Sequence, residues 1–265
     1  MSGTVVVTGG GSGIGEAIAR AAHADGWTVG VLDRDAEAAA RVASSLGSRA
    51  VALAADTASE AEVEAALDQL AAATGEAAPH GVVANAGIVR FGPLAELPVD
   101  DWRRGRREPD GHVRGPAGGG ARMLAAGTAG SLVAVTSMNG VVPGPGAGAY
   151  GATKAGIALL VQQMAVEWGP SGIRANAVAP GLVDGGMSGP IYADAEVRRL
   201  REARVPLGRL GTPDDVAGAV LFLLSDAAAY VSGTELLVDG AVTPSLIAGL
   251  PRPAGLDRPP AEDPP

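Results

Sequence analysis

The stretch TGGGSGIG, from Thr8 to Gly15, follows the Val-rich run TVVVT and leads directly into the Ala-rich run EAIARAA. This order predicts a strand, a glycine-rich turn and a helix. Glycines let the backbone approach a pyrophosphate at a helix N-terminus, where unpaired N–H groups and the helix dipole favour an anion. We therefore predict a phosphate site at Gly9, Ser12, Gly13, Ile14 and Gly15. The alternative is a structural turn, in a chain with 40 glycines.

Short apolar runs alternate with longer Ala-rich segments along the rest of the chain. The runs are TVVVT, WTVGVLD, AVALAAD, HGVVANAG, SLVAVTS, IRANAVAP and ELLVDG. This alternation predicts an α/β fold with one doubly wound parallel sheet of about seven strands. Among the covering helices we predict Ala58–Ala73, and Pro213–Leu224 with Thr212 as its N-cap. Residues 1–250 form the predicted single domain, and the Pro-rich residues 251–265 a disordered tail.

Composition narrows the classes of partner. A net charge of −9 argues against nucleic acid, because binding to the phosphate backbone needs a basic surface. The chain has no cysteine and 3 histidines, so we predict neither disulfides nor a metal site. The N-terminus carries no basic segment followed by an apolar one, which predicts a cytoplasmic protein without a membrane span.

Asp33 ends the second apolar run, where a carboxylate can accept hydrogen bonds from both hydroxyls of an adenosine ribose. Its charge would repel a 2′-phosphate, so the sequence favours NAD as the cofactor. The neighbouring Arg34 keeps NADP open. The alternative for Asp33 is a solvated residue at a strand end.

Lys154 is the only lysine among 20 basic residues, and it stands one helical turn after Tyr150 in YGATK. A lysine ammonium can lower the pKa of a neighbouring phenol and can hold ribose hydroxyls. We therefore predict that Tyr150 is a general acid and base assisted by Lys154. Ser137, at the end of SLVAVTS, is predicted to orient a substrate carbonyl. A purely structural role is the alternative for each.

At residues 3–242 these motifs resemble the short-chain dehydrogenase/reductase family in order and spacing. TGGGSGIG resembles the family's TGxxxGxG, and Ser137 with YGATK its catalytic serine and YxxxK. The resemblance implies a Rossmann fold, a homotetramer, and hydride transfer between nicotinamide C4 and a small-molecule secondary alcohol or ketone. It implies further cofactor contacts at Arg34, Asp56, Thr57, Asn85, Ala86, Gly87, Pro180, Gly181 and Val183, besides Tyr150 and Lys154.

The chain departs from the family pattern at two places. Gly185 and Gly186 stand where the family usually has a threonine that holds the nicotinamide carboxamide. Residues 103–121 read RRGRREPDGHVRGPAGGGA, with Pro109 at the place of the family's catalytic asparagine. An internal proline costs a helix about 3 kcal/mol and a glycine up to about 1 kcal/mol, so this stretch is improbable as a core helix.

Codons for residues 108–114 exist that, read one nucleotide later, encode Asn-Leu-Thr-Gly-Thr-Phe. We hypothesise a compensated frame slip in the gene or in its reading. The alternatives are a basic loop for an acidic partner, or a catalytically impaired NAD-binding relative. The segment from Asp184 to Arg204 is predicted to cover the substrate with Met187, Ile191 and Tyr192. Sugars, steroids, acyl thioesters and small cyclic alcohols all remain open as substrates.

Overall fold

A computed structural model of the chain describes residues 3–87, 92–98, 100 and 118–247. Within these residues, seven strands form one parallel sheet in the order β3-β2-β1-β4-β5-β6-β7. The strands are β1 (Thr4–Thr8), β2 (Thr28–Asp33), β3 (Ala50–Ala54), β4 (Gly81–Ala84), β5 (Gly130–Val135), β6 (Ile173–Pro180) and β7 (Glu235–Val238). Six of them lie within an apolar run, and β5 begins one residue before SLVAVTS, at Gly130. The predicted doubly wound α/β sheet is confirmed.

Helices follow most of the strands. They are α1 (Gly13–Ala24), α2 (Ala36–Leu46), α3 (Glu60–Thr74), α4 (residues 118–126), α5 (Tyr150–Trp168), α6 (Gly189–Tyr192), α7 (Ala195–Glu202) and α8 (Pro213–Leu224). The predicted cap of α8 is confirmed, because Thr212 and Asp215 form a reciprocal capping box. None of the helices in the described ranges is long and apolar enough to cross a membrane.

The predicted helix at Ala58–Ala73 is Glu60–Thr74 in the structure. It begins later because Ser59 is its N-cap, with the hydroxyl accepting the Glu62 N–H at 3.4 Å. It ends at Thr74 because Gly75, its C-cap, has a left-handed φ of 76°.

Two layers of helices cover the sheet. Along β1 the side chains alternate: Val5 and Val7 belong to one buried cluster with Ile18 of α1, whereas Val6 packs on the opposite face with Leu67 of α3. Fully burying a side chain of this size contributes about 1.5–3 kcal/mol. Small and β-branched residues therefore build a core in which rings are rare.

The prediction that residues 103–121 are improbable as a helix is wrong at its C-terminal end. Residues 118–121 are helical and open the described part of α4. Gly119 and Gly120 are buried, and a Cβ on Gly120 would lie 2.6 Å from Cζ3 of Trp168. Close tertiary packing thus outweighs the low helix propensity of glycine. Residues 103–117, with Pro109, and the tail 251–265 lie outside the described residues.

The chain runs outward from the centre of the sheet in opposite directions, through β2 and β3 on one side and β5 to β7 on the other. The order therefore reverses between β1 and β4. Loops that leave two such strands separate and open a crevice at the carboxyl ends of the strands. This crevice is where the predicted site residues are expected to meet.

Candidate active site

A cleft of about 1250 Å³ lies at the carboxyl ends of the strands. Nearly all of the predicted site residues line it. They are Gly9, Ser12, Gly13, Ile14, Asp33, Arg34, Asp56, Thr57, Asn85, Ala86, Gly87, Ser137, Tyr150, Lys154, Pro180, Gly181 and Val183. The sequence motifs, which are far apart in the chain, therefore converge on one cavity.

Gly15 does not line the cleft but determines the shape of the glycine-rich loop. It is buried in the first turn of α1, and a Cβ there would lie far inside van der Waals contact with the Gly9 carbonyl oxygen. Gly9 itself has a φ of 65°, which favours glycine. Ser12 precedes α1 without a side-chain cap, so its hydroxyl does not occupy the first N–H groups of the helix.

Thr8 joins this loop to the segment after β4. Its hydroxyl oxygen accepts the N–H groups of Asn85 at 3.0 Å and Ala86 at 3.1 Å, and the hydroxyl donates to the Val83 carbonyl at 3.3 Å. The Asn85 side-chain amide donates in return to the Thr8 carbonyl at 3.1 Å. These bonds hold the ends of β1 and β4 together at the floor of the cleft.

Asp33 lies at the end of the cleft beside β2 and β3. Its carboxylate accepts the N–H groups of Gly11 and Asp35, both at 3.0 Å. Arg34 and Arg41 line the same end, and Arg41 donates to the Gly11 carbonyl at 2.7 Å. At this end of the cleft the Asp33 carboxylate is therefore held in a fixed position, and the guanidinium groups of Arg34 and Arg41 line the same end.

Ser137, Tyr150 and Lys154 form a cluster between β5 and α5. Tyr150 begins α5, and Lys154 lies one turn later with its Nζ 5.5 Å from the centre of the Tyr150 ring. Only 3% of Lys154 is exposed, and its Nζ donates to the Val135 carbonyl at 3.0 Å. Burial and this bond fix the ammonium beside the phenol.

The hydroxyl of Ser137 differs from those of its neighbours. Its Oγ accepts the N–H of Asn139 at 3.2 Å, which leaves the hydroxyl hydrogen to be donated. Ser131 instead donates to the Leu223 carbonyl at 2.9 Å, and Thr136 to the Val178 carbonyl at 3.0 Å. Among these three hydroxyls, Ser137 is the one suited to a substrate oxygen.

The loop after β6 lines the same cleft. Val183 pairs with Gly211, and the Asp184 N–H donates to the Gly211 carbonyl at 2.8 Å. Asp215 holds the turn at Gly211, because Arg209 donates to its carboxylate at 2.7 and 2.8 Å. The Arg209 guanidinium, followed by the Thr212 N–H, keeps the pKa of Asp215 well below its ordinary value.

The sequence reasoning missed several residues that line the cleft. Arg41 of α2, Asn139 after β5 and Arg201 of α7 are examples. Arginines are common in this chain, and the sequence carries no sign of which of them face the cleft. Of the predicted cover, Met187, Ile191 and Tyr192 do line the cavity.

The family model described as enoyl-(acyl carrier protein) reductase matches residues 9–243. The solved structure of a short-chain type dehydrogenase/reductase from Mycobacterium marinum matches with a TM-score of 0.84 and 29% identity, over 91% of this chain and 95% of that chain. The chain belongs to the short-chain dehydrogenase/reductase family.

Relatives of this short-chain dehydrogenase/reductase act on several alcohols. An L-rhamnose 1-dehydrogenase (NAD(P)(+)) of Sphingomonas sp. (strain SKA58) is 39% identical, over 89% of this chain and 94% of the relative. A cis-4-hydroxycyclohexanecarboxylate dehydrogenase of Sinomonas cyclohexanicum is 40% identical, over 90% of this chain and 95% of the relative. A gluconate 5-dehydrogenase from Burkholderia cenocepacia J2315, in complex with NADP and tartrate, has a TM-score of 0.85 at 33% identity, over 91% and 95%. These relatives support an oxidoreductase that acts on CH–OH groups.

Proposed function

We propose that this chain is an NAD-dependent oxidoreductase that interconverts a secondary alcohol and a ketone, with Tyr150 exchanging the substrate's hydroxyl proton. The observation that carries the proposal is the cluster of Ser137, Tyr150 and Lys154 in the same cleft as the glycine-rich loop. The residues present fit a nicotinamide dinucleotide. The loop from Gly9 permits close approach of a phosphate, and the Asp33 carboxylate would accept hydrogen bonds from a ribose at the far end.

The three residues divide the proton transfer between them. The Lys154 ammonium, fixed beside the ring, favours the ionised form of the Tyr150 phenol and so eases loss of its proton. Ser137 can donate its hydroxyl hydrogen to the substrate oxygen and hold it near Tyr150. A bound nicotinamide supplies the hydride acceptor for alcohol oxidation and the hydride donor for ketone reduction.

Replacing Tyr150 by Phe tests the role of the phenol. We expect turnover to fall by about 100-fold or more, since general acid and base catalysis contributes that much, while NADH binding persists. Tyr230→Phe is the matched control, because Tyr230 is fully exposed and lies away from the cleft. A Tyr150→Phe protein that reduces ketones at the parental rate would refute the proposal.

NAD is proposed as the preferred cofactor because of Asp33. The two N–H donors hold its carboxylate where a 2′-phosphate would meet a negative charge. Arg34 and Arg41 favour the opposite preference, and the names of two similar proteins mention NADP. Initial rates with equal concentrations of NAD and NADP test the proposal, and a preference for NADP would reverse it.

Impaired turnover is the second candidate, favoured by Pro109 at the place of the family's asparagine. Resequencing the codons for residues 103–121 tests it. We expect an in-frame Asn-Leu-Thr-Gly-Thr-Phe, and with it an active enzyme. If the codons stand as translated and NADH binds without turnover, the impaired reading is correct.

A homotetramer is also proposed for this chain. Leu159 and Val166, two turns apart on α5, are 67% and 76% exposed, and apolar exposure of this kind is typical of protein interfaces. Light scattering after size-exclusion chromatography measures the assembly. We expect Leu159→Glu to lower the molar mass and Leu207→Glu, at a position 71% exposed outside α5, to leave it unchanged. A monomeric parent protein would contradict the proposal.

A further inference from the structure

The segment that covers the cleft, residues 184–202, pairs its carboxylates almost completely. Arg198 bridges Asp184 at 2.5 Å and Glu202 at 3.1 Å, and Arg199 pairs with Glu196 at 2.7 Å. The remaining carboxylate, Asp194, caps α7 by accepting two backbone N–H groups. The bridge from Arg198 to Asp184 also fixes α7 against the loop after β6.

Arg201, in the last turn of α7, has no carboxylate partner among the described residues. Its guanidinium instead lies 5.6 Å from the centre of the Tyr192 ring, and both residues line the cleft. Only 5% of Tyr192 is exposed, so the ring is a rigid platform that limits where the guanidinium can lie. Met187 and Ile191 supply apolar lining beside it.

The other charged side chains in the described lining lie elsewhere in the cleft. Asp33 ends β2, Arg34, Asp35 and Arg41 come after it, and Asp56 follows β3. Lys154 belongs to the proton-transfer cluster. Arg201 is therefore a cation in the part of the described lining that includes Met187, Ile191 and Tyr192, where its surroundings are partly apolar. A guanidinium in such a place is stabilised by an anion that accepts from its planar fork, as a carboxylate does.

We propose that the substrate is a hydroxy acid or keto acid whose carboxylate binds Arg201 while its alcohol or ketone carbon reaches Tyr150. This inference rests on the proposed function and names its substrate class. Met187 and Ile191 would contact the apolar carbons between the two groups. Arg201 would set specificity without taking part in proton transfer.

A panel of paired ketones tests this inference. The pairs are acetoacetate, levulinate and pyruvate, each with its methyl ester, which keeps the carbon skeleton and removes the charge. Binding to the complex of the protein with NADH is followed by NADH fluorescence, and reduction by NADH absorbance. We expect at least one acid to bind more tightly than its ester, and Arg201→Met to weaken that acid by about 10- to 100-fold while leaving the ester unchanged.

Arg204→Met is the matched control, because Arg204 is exposed, lies three residues after Arg201 and does not line the cleft. Arg204→Met should leave the affinity for acids unchanged. Arg201→Lys should retain part of the parental affinity for acids. Equal binding of acid and ester in every pair would overturn the inference. So would an Arg201→Met substitution that weakens the binding of acid and ester to the same extent. If neutral ketones are reduced without preference for acids, only the inference fails. If NADH does not bind, the proposed function fails with it.

Discussion

Replacing Thr8 by Val tests the hydrogen bonds that join the glycine-rich loop to the segment after β4. Thr8 is 2% exposed, and its hydroxyl accepts two backbone N–H groups, those of Asn85 and Ala86. Valine has nearly the same shape but offers no acceptor. The change therefore removes these bonds with little change in packing volume.

The magnitude follows from the two donors left behind. A buried N–H that loses its acceptor costs about 1–3 kcal/mol, so two cost about 2–6 kcal/mol. The additional buried methyl group returns about 0.8 kcal/mol. Because Asn85 and Ala86 are only partly buried, water can replace some of the lost bonding. We expect the free energy of unfolding to fall by about 2 kcal/mol, a large share of the roughly 5–15 kcal/mol typical of a folded protein.

Urea unfolding, followed by circular dichroism, measures this loss, and NADH fluorescence measures binding in the same samples. Thr8→Ser is the control, since it keeps the hydroxyl and should lose much less stability. NADH affinity should fall with Thr8→Val because the floor of the cleft is no longer held. A Thr8→Val protein as stable as its parent, or a Thr8→Ser protein equally destabilised, would show that the hydroxyl does not join the two segments.

Three further predictions concern other positions. Gly15→Ala should abolish NADH binding while the circular dichroism spectrum persists, because the new Cβ collides with the Gly9 carbonyl; parental affinity would contradict the packing described for the loop. Asp215→Asn should lower the free energy of unfolding by about 1 kcal/mol near neutral pH. Because the folded pKa of Asp215 is depressed, this stabilisation is complete above the ordinary pKa of about 3.9 and is lost as pH falls through the folded value. Melting curves should therefore differ from the parent near neutral pH and converge in acid, with Asp214→Asn as the exposed control; a gap that widens in acid would reverse the sign. Asp33→Ser should raise kcat/KM for NADP relative to NAD by about 10-fold or more through loss of charge repulsion, and an unchanged ratio would remove Asp33 from cofactor choice.

Local pattern was sufficient for much of the fold. The seven apolar runs predicted every strand in the described sheet, and Thr212 predicted the start of α8. Both signals depend only on residues that are close together in the sequence. The helix at residues 118–121 could not be predicted in the same way. What allows glycines there is contact with Val82 and Trp168, which are distant in the sequence.

The residues of the site also differ in whether nearby sequence was enough to predict them. Tyr150 and Lys154 share a helix, and their spacing alone predicted that they would be neighbours. Among the described residues no carboxylate pairs with Arg201, because each nearby carboxylate accepts from another arginine or from backbone N–H groups. That choice of partners is made by side-chain geometry, which the sequence does not specify.

The sheet is least strongly paired where its order reverses. β1 and β4 share three registered residue pairs, Val5 with Gly81, Val6 with Val82 and Val7 with Val83, whereas β1 and β2 share five and β5 and β6 six. The residues of β1 and β4 are buried, so these amide protons should exchange with deuterium only through openings that separate the two strands. A dinucleotide bound across this ladder would hold the two halves of the sheet together. Cofactor binding in the cleft should therefore slow the exchange of buried amide protons in β1 and β4.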